Sequence, residues 1–500
     1  MTRRREPGTG APGPLPLVPA PLSVRRTGGL PFVPDGDLRV VVGDTPDEIS
    51  AGVLTAEVVG ALLDVPLGLV TGPDVGPGAV RLGLHDDAGP ADADPAERYT
   101  LTVTADGVDL RAPRPAGLLR GVATLCQLFG RDGDGRVSAP AVVVQDAPRY
   151  AWRGLSLDVA RHFFTVEEVA AVLGVMAQLK LNVLHLHLTD DQGWRLDVPS
   201  RPPLALRSSS TAVGGGAGGC YSADDYARIV AFAAARHITV VPEIDLPGHV
   251  NAALHALPEL TPDGVAPPTY TGIEVGFSRL HRDVPATRAF LQDVLGDVAA
   301  MTPGPYVHIG GDEVLTMAAE EYRWFVRTAR DVVRAAGKTP VGWQEIAHAD
   351  VDPGTVVQYW DPRADPEPFV AAAAAGARLL MSPGSRVYLD MKYDADSELG
   401  LAWAGYVELR DSYDWDPDRT VPGLPADAVV GVEAAVWTET LPTAEDLFVM
   451  LLPRLAAVAE VAWSAQDRRG WEGFRVRVAG LAPGWDRAGY PFYPSPQVDW

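Results

Sequence analysis

Between residues 154 and 439 a short apolar run recurs eight times, each time ending in polar or aromatic residues. The runs are GLSLDVA (154–160), VLHLHLT (183–189), TVVPEID (239–245), YVHIGGDE (306–313), TPVGWQE (339–345), TVVQYW (355–360), RLLMSPG (378–384) and GVEAAVWTE (431–439). Near-continuous apolar strands are the pattern of a parallel sheet covered on both faces. Helical patterns separate several of them. TVEEVAAVLGVMAQLK opens on a capping box from Thr165 to Glu168, and SADDYARIVAFAAARH has an N-cap serine, Ser222. Eight strands with interleaved helices predict an α/β fold, a closed (β/α)8 TIM barrel. One unit departs from the ideal, because IAHADVDPG is too short for a full helix between strands five and six. A doubly wound open sheet is the rival. It wants a Gly-rich phosphate turn after its first strand, and SLDVARHFF is not one.

The chain of 500 residues is longer than such a barrel needs. Residues 1–25, rich in Pro and Gly, read as a disordered arm. Residues 26–147 read as a small α+β domain. It contains a hairpin, RYTLTVTADGVDLRAP, turning at Asp106-Gly107, one helix, AGLLRGVATLCQLFG, and the strand AVVVQD, with no βαβ rhythm. Residues 148–500 then hold the barrel and C-terminal helices. A formal charge of −23 argues against nucleic acid and anionic membranes as partners. No apolar run reaches 18 residues, so no membrane span is expected. Cys126 and Cys220 are too few and too far apart for a disulfide framework or a metal site. The opening MTRRREPGTGAPGPLPLVPAPLSV is basic but lacks the apolar core of an export signal. That implies a cytoplasmic location, or a secreted one if a leader precedes it.

Barrel chemistry gathers at the C-terminal ends of the strands. Those ends carry Asp158, Arg161, Asp190, Glu243, Asp245, Asp312, Glu313, Trp343, Trp360, Trp437 and Glu439. The acids Asp312 and Glu313 are adjacent, behind two glycines that permit close approach of backbone or ligand. Neighbours along a strand point to opposite faces, so this pair is poorly placed to flank a bond from both sides. His185 and His187 share one strand face, and with His249 and His308 they could hold a metal, which keeps a metal-dependent hydrolase open. Hydrogen-bonded buried histidines explain them equally. Trp343, Trp360 and Trp437 at strand ends, with Trp403 in the loop after strand seven, suit a sugar pocket, since indole faces cover the C–H face of a pyranose. A non-catalytic sugar-binding protein would use the same aromatics but has no need of the acid pair.

The segments RGLSLDVARHFF, LNVLHLHLTDDQGWRL, PEIDLPGHVNAAL, HIGGDE, VGWQE, VYLD and VWTE resemble the family 20 glycoside hydrolases, the β-N-acetylhexosaminidases. The likeness covers about 150–465, and residues 26–147 resemble the small domain that precedes the barrel in that family. The resemblance implies a retaining exo-enzyme that removes terminal β-linked GlcNAc or GalNAc without a protein nucleophile and without a cofactor or metal. The sugar's own 2-acetamido oxygen attacks the anomeric carbon and forms an oxazolinium ion. By motif, Glu313 is then the general acid and base, carrying its proton before cleavage. Asp312, ionised, holds the acetamide N–H, and Tyr388 donates to the acetamide oxygen. Arg161, Asp390 and Glu439 contact ring hydroxyls, and Asp190 and His249 support the acid. Trp343, Trp360 and Trp437 enclose the acetamide methyl, and Trp403 is a platform for the sugar or the leaving group. Glu243 and Glu345 read as groups that support these from behind, their exact roles open, and Asp191 is the alternative to Asp190.

Overall fold

The computed structural model describes residues 14–72, 76–425 and 427–500. Eight parallel strands close a barrel: β1 (Trp152–Asp158), β2 (Val183–His187), β3 (Thr239–Glu243), β4 (Tyr306–His308), β5 (Thr339–Trp343), β6 (Val356–Tyr359), β7 (Arg378–Met381) and β8 (Val429–Val436). β8 pairs back onto β1, from Trp152 opposite Gly431 to Leu157 opposite Val436. The interior is layered. The bottom is plugged by apolar side chains including Trp152, Val183, Val241, Val341, Val356 and Leu380. One pleat higher the inward positions turn polar, with His185, Glu243, His308, Gln358 and Glu433 all buried. The capping boxes at Thr165 and Ser222 both form. Between β5 and β6 there is only the short 3-10 turn Gln344–His348.

A seven-stranded mixed sheet precedes the barrel, in the order 23–26, 142–146, 99–104, 107–112, 79–84, 39–42, 68–71. Two expectations about this region are corrected. Leu17 and Val18 are buried, and Ser23–Arg26 pairs antiparallel with Val142–Gln145, so the arm is ordered from residue 14 onward. Its Pro-rich composition hid two apolar anchors and an edge strand. The earlier part of the expected arm, 1–13, lies outside the described residues. The region also has a second helix, Pro46–Leu63, joining the parallel strands Arg39–Val42 and Gly68–Thr71, which is a βαβ unit. Its sequence, PDEISAGVLTAEVVGALL, has weak amphipathic contrast, but Thr45 and Glu48 form a capping box at its start. The hairpin turns one residue earlier than expected, at Ala105-Asp106, with Thr104 paired to Gly107. No helix among the described residues is long and apolar enough to cross a membrane.

Candidate active site

The acid pair lies beyond the end of β4, where the strand has already broken. Gly310, Gly311 and Glu313 all take positive φ, at 64°, 108° and 51°. The alternation of a strand therefore does not apply, and both carboxyls turn to one partner. His249 Nε2 is 3.3 Å from Glu313 Oε2 and 3.6 Å from Asp312 Oδ2. The glycines are required: a Cβ on Gly310 would lie 1.8 Å from Asp245 Oδ1, and one on Gly311 would lie 2.8 Å from the Ile346 side chain. Left-handed backbone at His249 (φ 53°) and Glu313, neither of them glycine, stores strain of order 1–2 kcal/mol per residue, as functional sites commonly do.

Behind the pair runs a chain of buried ion pairs. Asp190 Oδ1 is 3.2 Å from His249 Nδ1, and Asp190 Oδ2 is 2.8 Å from Arg161 Nη2 and 2.9 Å from His187 Nε2. His187 Nδ1 meets Glu243 Oε2 at 2.5 Å, and Glu243 Oε1 accepts from Trp343 Nε1 at 2.8 Å and faces His308 Nδ1 at 2.9 Å. His185 lies between Glu433 (2.9 Å) and Glu243 (3.0 Å). Groups such as His185, Glu243 and His308 are close enough to hold a cation. Their shortest contacts, however, run from imidazole to carboxylate, as buried hydrogen-bonded histidines require. Asp191, the neighbour of Asp190, turns elsewhere, accepting from Ser278 Oγ and from Asn251 N–H at 2.9 Å.

The ion pairs set the charges. Burial opposes charge on His249 and His187, but Asp190 with Asp312 and Glu243 with Asp190, respectively, hold them well above the usual histidine range. Burial works against Glu243 and Asp190 as well, and the histidines and Arg161 outweigh it, so both stay well below the carboxylate range. Asp312 behaves differently. Burial, aided by Glu313 and opposed by His249, pushes it up to about 6. The expectation that Asp312 stays ionised thus holds only above that pH. Glu345 is pushed up to about 8, first by burial and then by Asp312, and it accepts from Trp360 Nε1 at 3.2 Å. Glu313 is the more open acid, its side chain 32% exposed against 14% for Asp312.

Ten of the twelve residues singled out from sequence line a single cavity of about 360 Å³: Arg161, His249, Asp312, Glu313, Trp343, Trp360, Tyr388, Trp403, Trp437 and Glu439. Asp190 stands one layer behind, tying Arg161 to His249. Asp390 is buried outside this lining but close to Glu439, which is part of it; neither of its carboxyl oxygens has a protein partner in good geometry, and burial, then Glu439, pushes its pKa well up. The aromatic walls touch one another. Trp343 and Trp437 are 5.6 Å apart, Trp360 stacks on Tyr388 at 6.4 Å, and Trp403 meets Tyr388 edge-on at 5.6 Å. Arg161 lies over Trp437, 5.0 Å from the ring centre. The site also uses residues that the sequence did not single out. Ile273, Val275, Arg363 and Leu401 complete the lining, and for the first two the only local signal was an apolar residue type in a loop between β3 and β4. Arg454 braces the segment bearing Tyr388 and Asp390, donating to the carbonyls of Leu389 (2.6 Å) and Met391 (2.7 Å). Only a partner distant in sequence could have revealed it.

Five aromatic rings, an arginine and an acid pair on one side of a small cavity suit a pyranose. Comparison with known proteins agrees. The family model described as Glycosyl hydrolase family 20, catalytic domain, matches residues 150–466, and that described as domain 2 of the same family matches 15–147. The chain belongs to glycosyl hydrolase family 20. It is 57% identical over 484 residues to a β-N-acetylhexosaminidase of Cellulomonas fimi, covering 97% of each chain. The family 20 fold superimposes on the β-N-acetylhexosaminidase of Streptomyces coelicolor A3(2) with a TM-score of 0.92 and 45% identity, over 98% of this chain and 100% of that one. A mutant Streptomyces plicatus β-hexosaminidase in complex with the product GlcNAc is as similar, with a TM-score of 0.91 and 44% identity over 98% and 99% of the two chains.

Proposed function

We propose a division of labour among these residues for the reaction of a family 20 exo-β-N-acetylhexosaminidase, the activity of this chain, which proceeds by substrate-assisted catalysis. A terminal β-linked GlcNAc or GalNAc is the substrate. Glu313 gives its proton to the glycosidic oxygen as the C1–O bond breaks, and the acetamide oxygen closes on C1. Asp312 accepts the acetamide N–H and stabilises the positive charge that develops there. Tyr388 donates to the acetamide oxygen and aims it, while Trp343, Trp360 and Trp437 enclose the methyl group. Glu313 then takes a proton from water, which attacks C1 and reopens the oxazolinium ring. Arg161, Glu439 and Asp390 address the ring hydroxyls, Trp403 covers the sugar or its leaving group, and Asp190 with His249 fixes the acid. Positioning a nucleophile that is already part of the substrate draws on the high effective molarity of intramolecular groups.

One observation carries this scheme: both carboxyls of the pair face the same histidine, at 3.3 and 3.6 Å. A double-displacement glycosidase needs its carboxyls on opposite sides of the sugar, about 5–5.5 Å apart. Two acids on one side can serve two neighbouring atoms of one substrate, and the nucleophile must then come from the sugar. The test is kinetic. Glu313→Gln should abolish release of nitrophenol from its β-GlcNAc glycoside in a protein with unchanged circular dichroism. Asp312→Asn and Tyr388→Phe should each lower kcat on 2-acetamido substrates by roughly 10²-fold or more, the scale seen when a preorganised donor or charge is lost. Equal losses on glycosides lacking the acetamide, or a glycosyl ester trapped on a side chain, would refute the scheme.

A further inference from the structure

Two of the indoles that enclose the acetamide methyl are held in different ways. Trp343 is 1% exposed and donates from Nε1 to Glu243 at 2.8 Å, so the barrel interior fixes it. Trp360, just past the end of β6, is only partly buried. Its polar ties run mainly to two adjacent residues. Gln344 Oε1 accepts from the N–H groups of Trp360 (3.0 Å) and Asp361 (2.8 Å), and Glu345 Oε2 accepts from Trp360 Nε1 (3.2 Å). The Trp360 carbonyl accepts from Gly384 N–H at 2.7 Å. Gln344 and Gly384 thus fix the backbone, and Glu345 fixes the ring. Both Gln344 and Glu345 belong to the short 3-10 turn Gln344–His348 that stands in for a helix between β5 and β6. The unit that departs from the barrel pattern therefore supplies two side chains that reach the end of the next strand.

The ring that Glu345 holds touches the rest of the pocket. Trp360 lies 6.4 Å from Tyr388 at an interplanar angle of 17°, and 5.8 Å from Trp403 at 77°. A tilt of this indole would widen the space for the acyl group and disturb the hydroxyl that aims the acetamide oxygen. Small misplacements of that kind are costly in rate. Burial, then Asp312, keeps the Glu345 carboxyl protonated at neutral pH, so it serves the indole as a neutral acceptor and not as a charge. We propose that Glu345 is a positioning residue: it clamps the Trp360 ring in place and so sets the size of N-acyl group that the pocket accepts. The proposal rests on the assignment of the acetamide methyl to the space among Trp343, Trp360 and Trp437.

The N-acetyl and N-butyryl forms of nitrophenyl β-glucosaminide test it. The native protein should prefer the acetyl form in kcat/KM by roughly tenfold or more, the scale of overpacking a fixed site with two methylenes. Glu345→Ala should cut that preference severalfold, with kcat on the acetyl form falling more than KM rises. Glu345→Gln keeps an acceptor for the indole N–H and should restore the preference. Trp360→Phe, which has no indole N–H, should also cut it, and adding Glu345→Ala to that variant should change it no further. A native preference in Glu345→Ala, or equal losses in Glu345→Ala and Glu345→Gln, overturns the clamp and leaves the functional assignment standing. If Glu345→Ala does not fold, Trp360→Phe decides alone, and a native preference there overturns the clamp. Equal kcat/KM for the two substrates in the native protein overturns the placing of the acyl group among the indoles, and the clamp with it.

Discussion

The catalytic turn shows how single residues dictate geometry. Gly310 is close-packed on Asp245 and takes φ +64°, so Gly310→Ala meets both a steric and a backbone penalty. We expect a stability loss of about 2 kcal/mol or more in denaturant titration. A larger fall in kcat should accompany it, because the acid pair would no longer share His249. The Asp312 carboxyl sets a second expectation. Pushed up to about 6 by burial, it is neutral below that pH and cannot stabilise the acetamide's positive charge. In the free enzyme kcat/KM should therefore decline as pH falls through about 6, and Asp312→Asn should remove that limb while lowering the plateau. A wild-type profile flat down to pH 4.5 would contradict this. The adjacency of Asp312 and Glu313 was plain in the sequence. Their convergence on one side was not, because it depends on three positive φ angles.

At the scale of elements, the segment after β7 is held by a helix far along the chain. Tyr388 and Leu389 pair with Ala435 of β8, and Arg454, from the buried helix Arg454–Trp463, donates to the carbonyls of Leu389, Met391 and Val407. Arg454→Met would strand those carbonyls in the interior at about 1–3 kcal/mol each. The expected outcome is a loss of about 3 kcal/mol or more in unfolding free energy, with a drop in kcat on 2-acetamido substrates as Tyr388 loses its register. The strand runs were legible because both faces are buried, and the capped helices at Thr165 and Ser222 because caps are local. The helix Pro46–Leu63 escaped because its apolar residues spread around it, leaving only a capping box as a signal.

At the scale of the whole molecule, a buried ion-pair cluster joins the sheet domain to the foot of the barrel. Glu97 meets Arg120 and Arg153, each at 2.7 Å, and Arg120 also donates to the carbonyl of His237 at 2.8 Å. Burial opposes the charge on Glu97, but the two arginines win and hold it down at about 2. Its folded pKa is depressed, so its contribution is present above the unfolded value near 4.5 and is lost as pH falls towards 2, about 3 kcal/mol at full size. Glu97→Gln should lower the unfolding free energy at pH 7 by roughly that amount or more, with two arginines left unpaired, and make little difference near pH 2. Calorimetry at the two pH values separates this from a simple packing defect.

By itself the sequence determined the order and type of the barrel elements, the division into two sheets and the residue types at the strand ends. These follow from burial patterns and caps that act over a few neighbours. It pointed to ten side chains that line the cavity, because closing a barrel gathers its strand ends at one rim. Only the tertiary structure decided which charges meet, that Asp312 rather than a more open group bears the burial, and that Arg454 braces Tyr388. Those outcomes depend on distances between residues far apart in the chain and on solvent exclusion, and both arise only once the fold has closed.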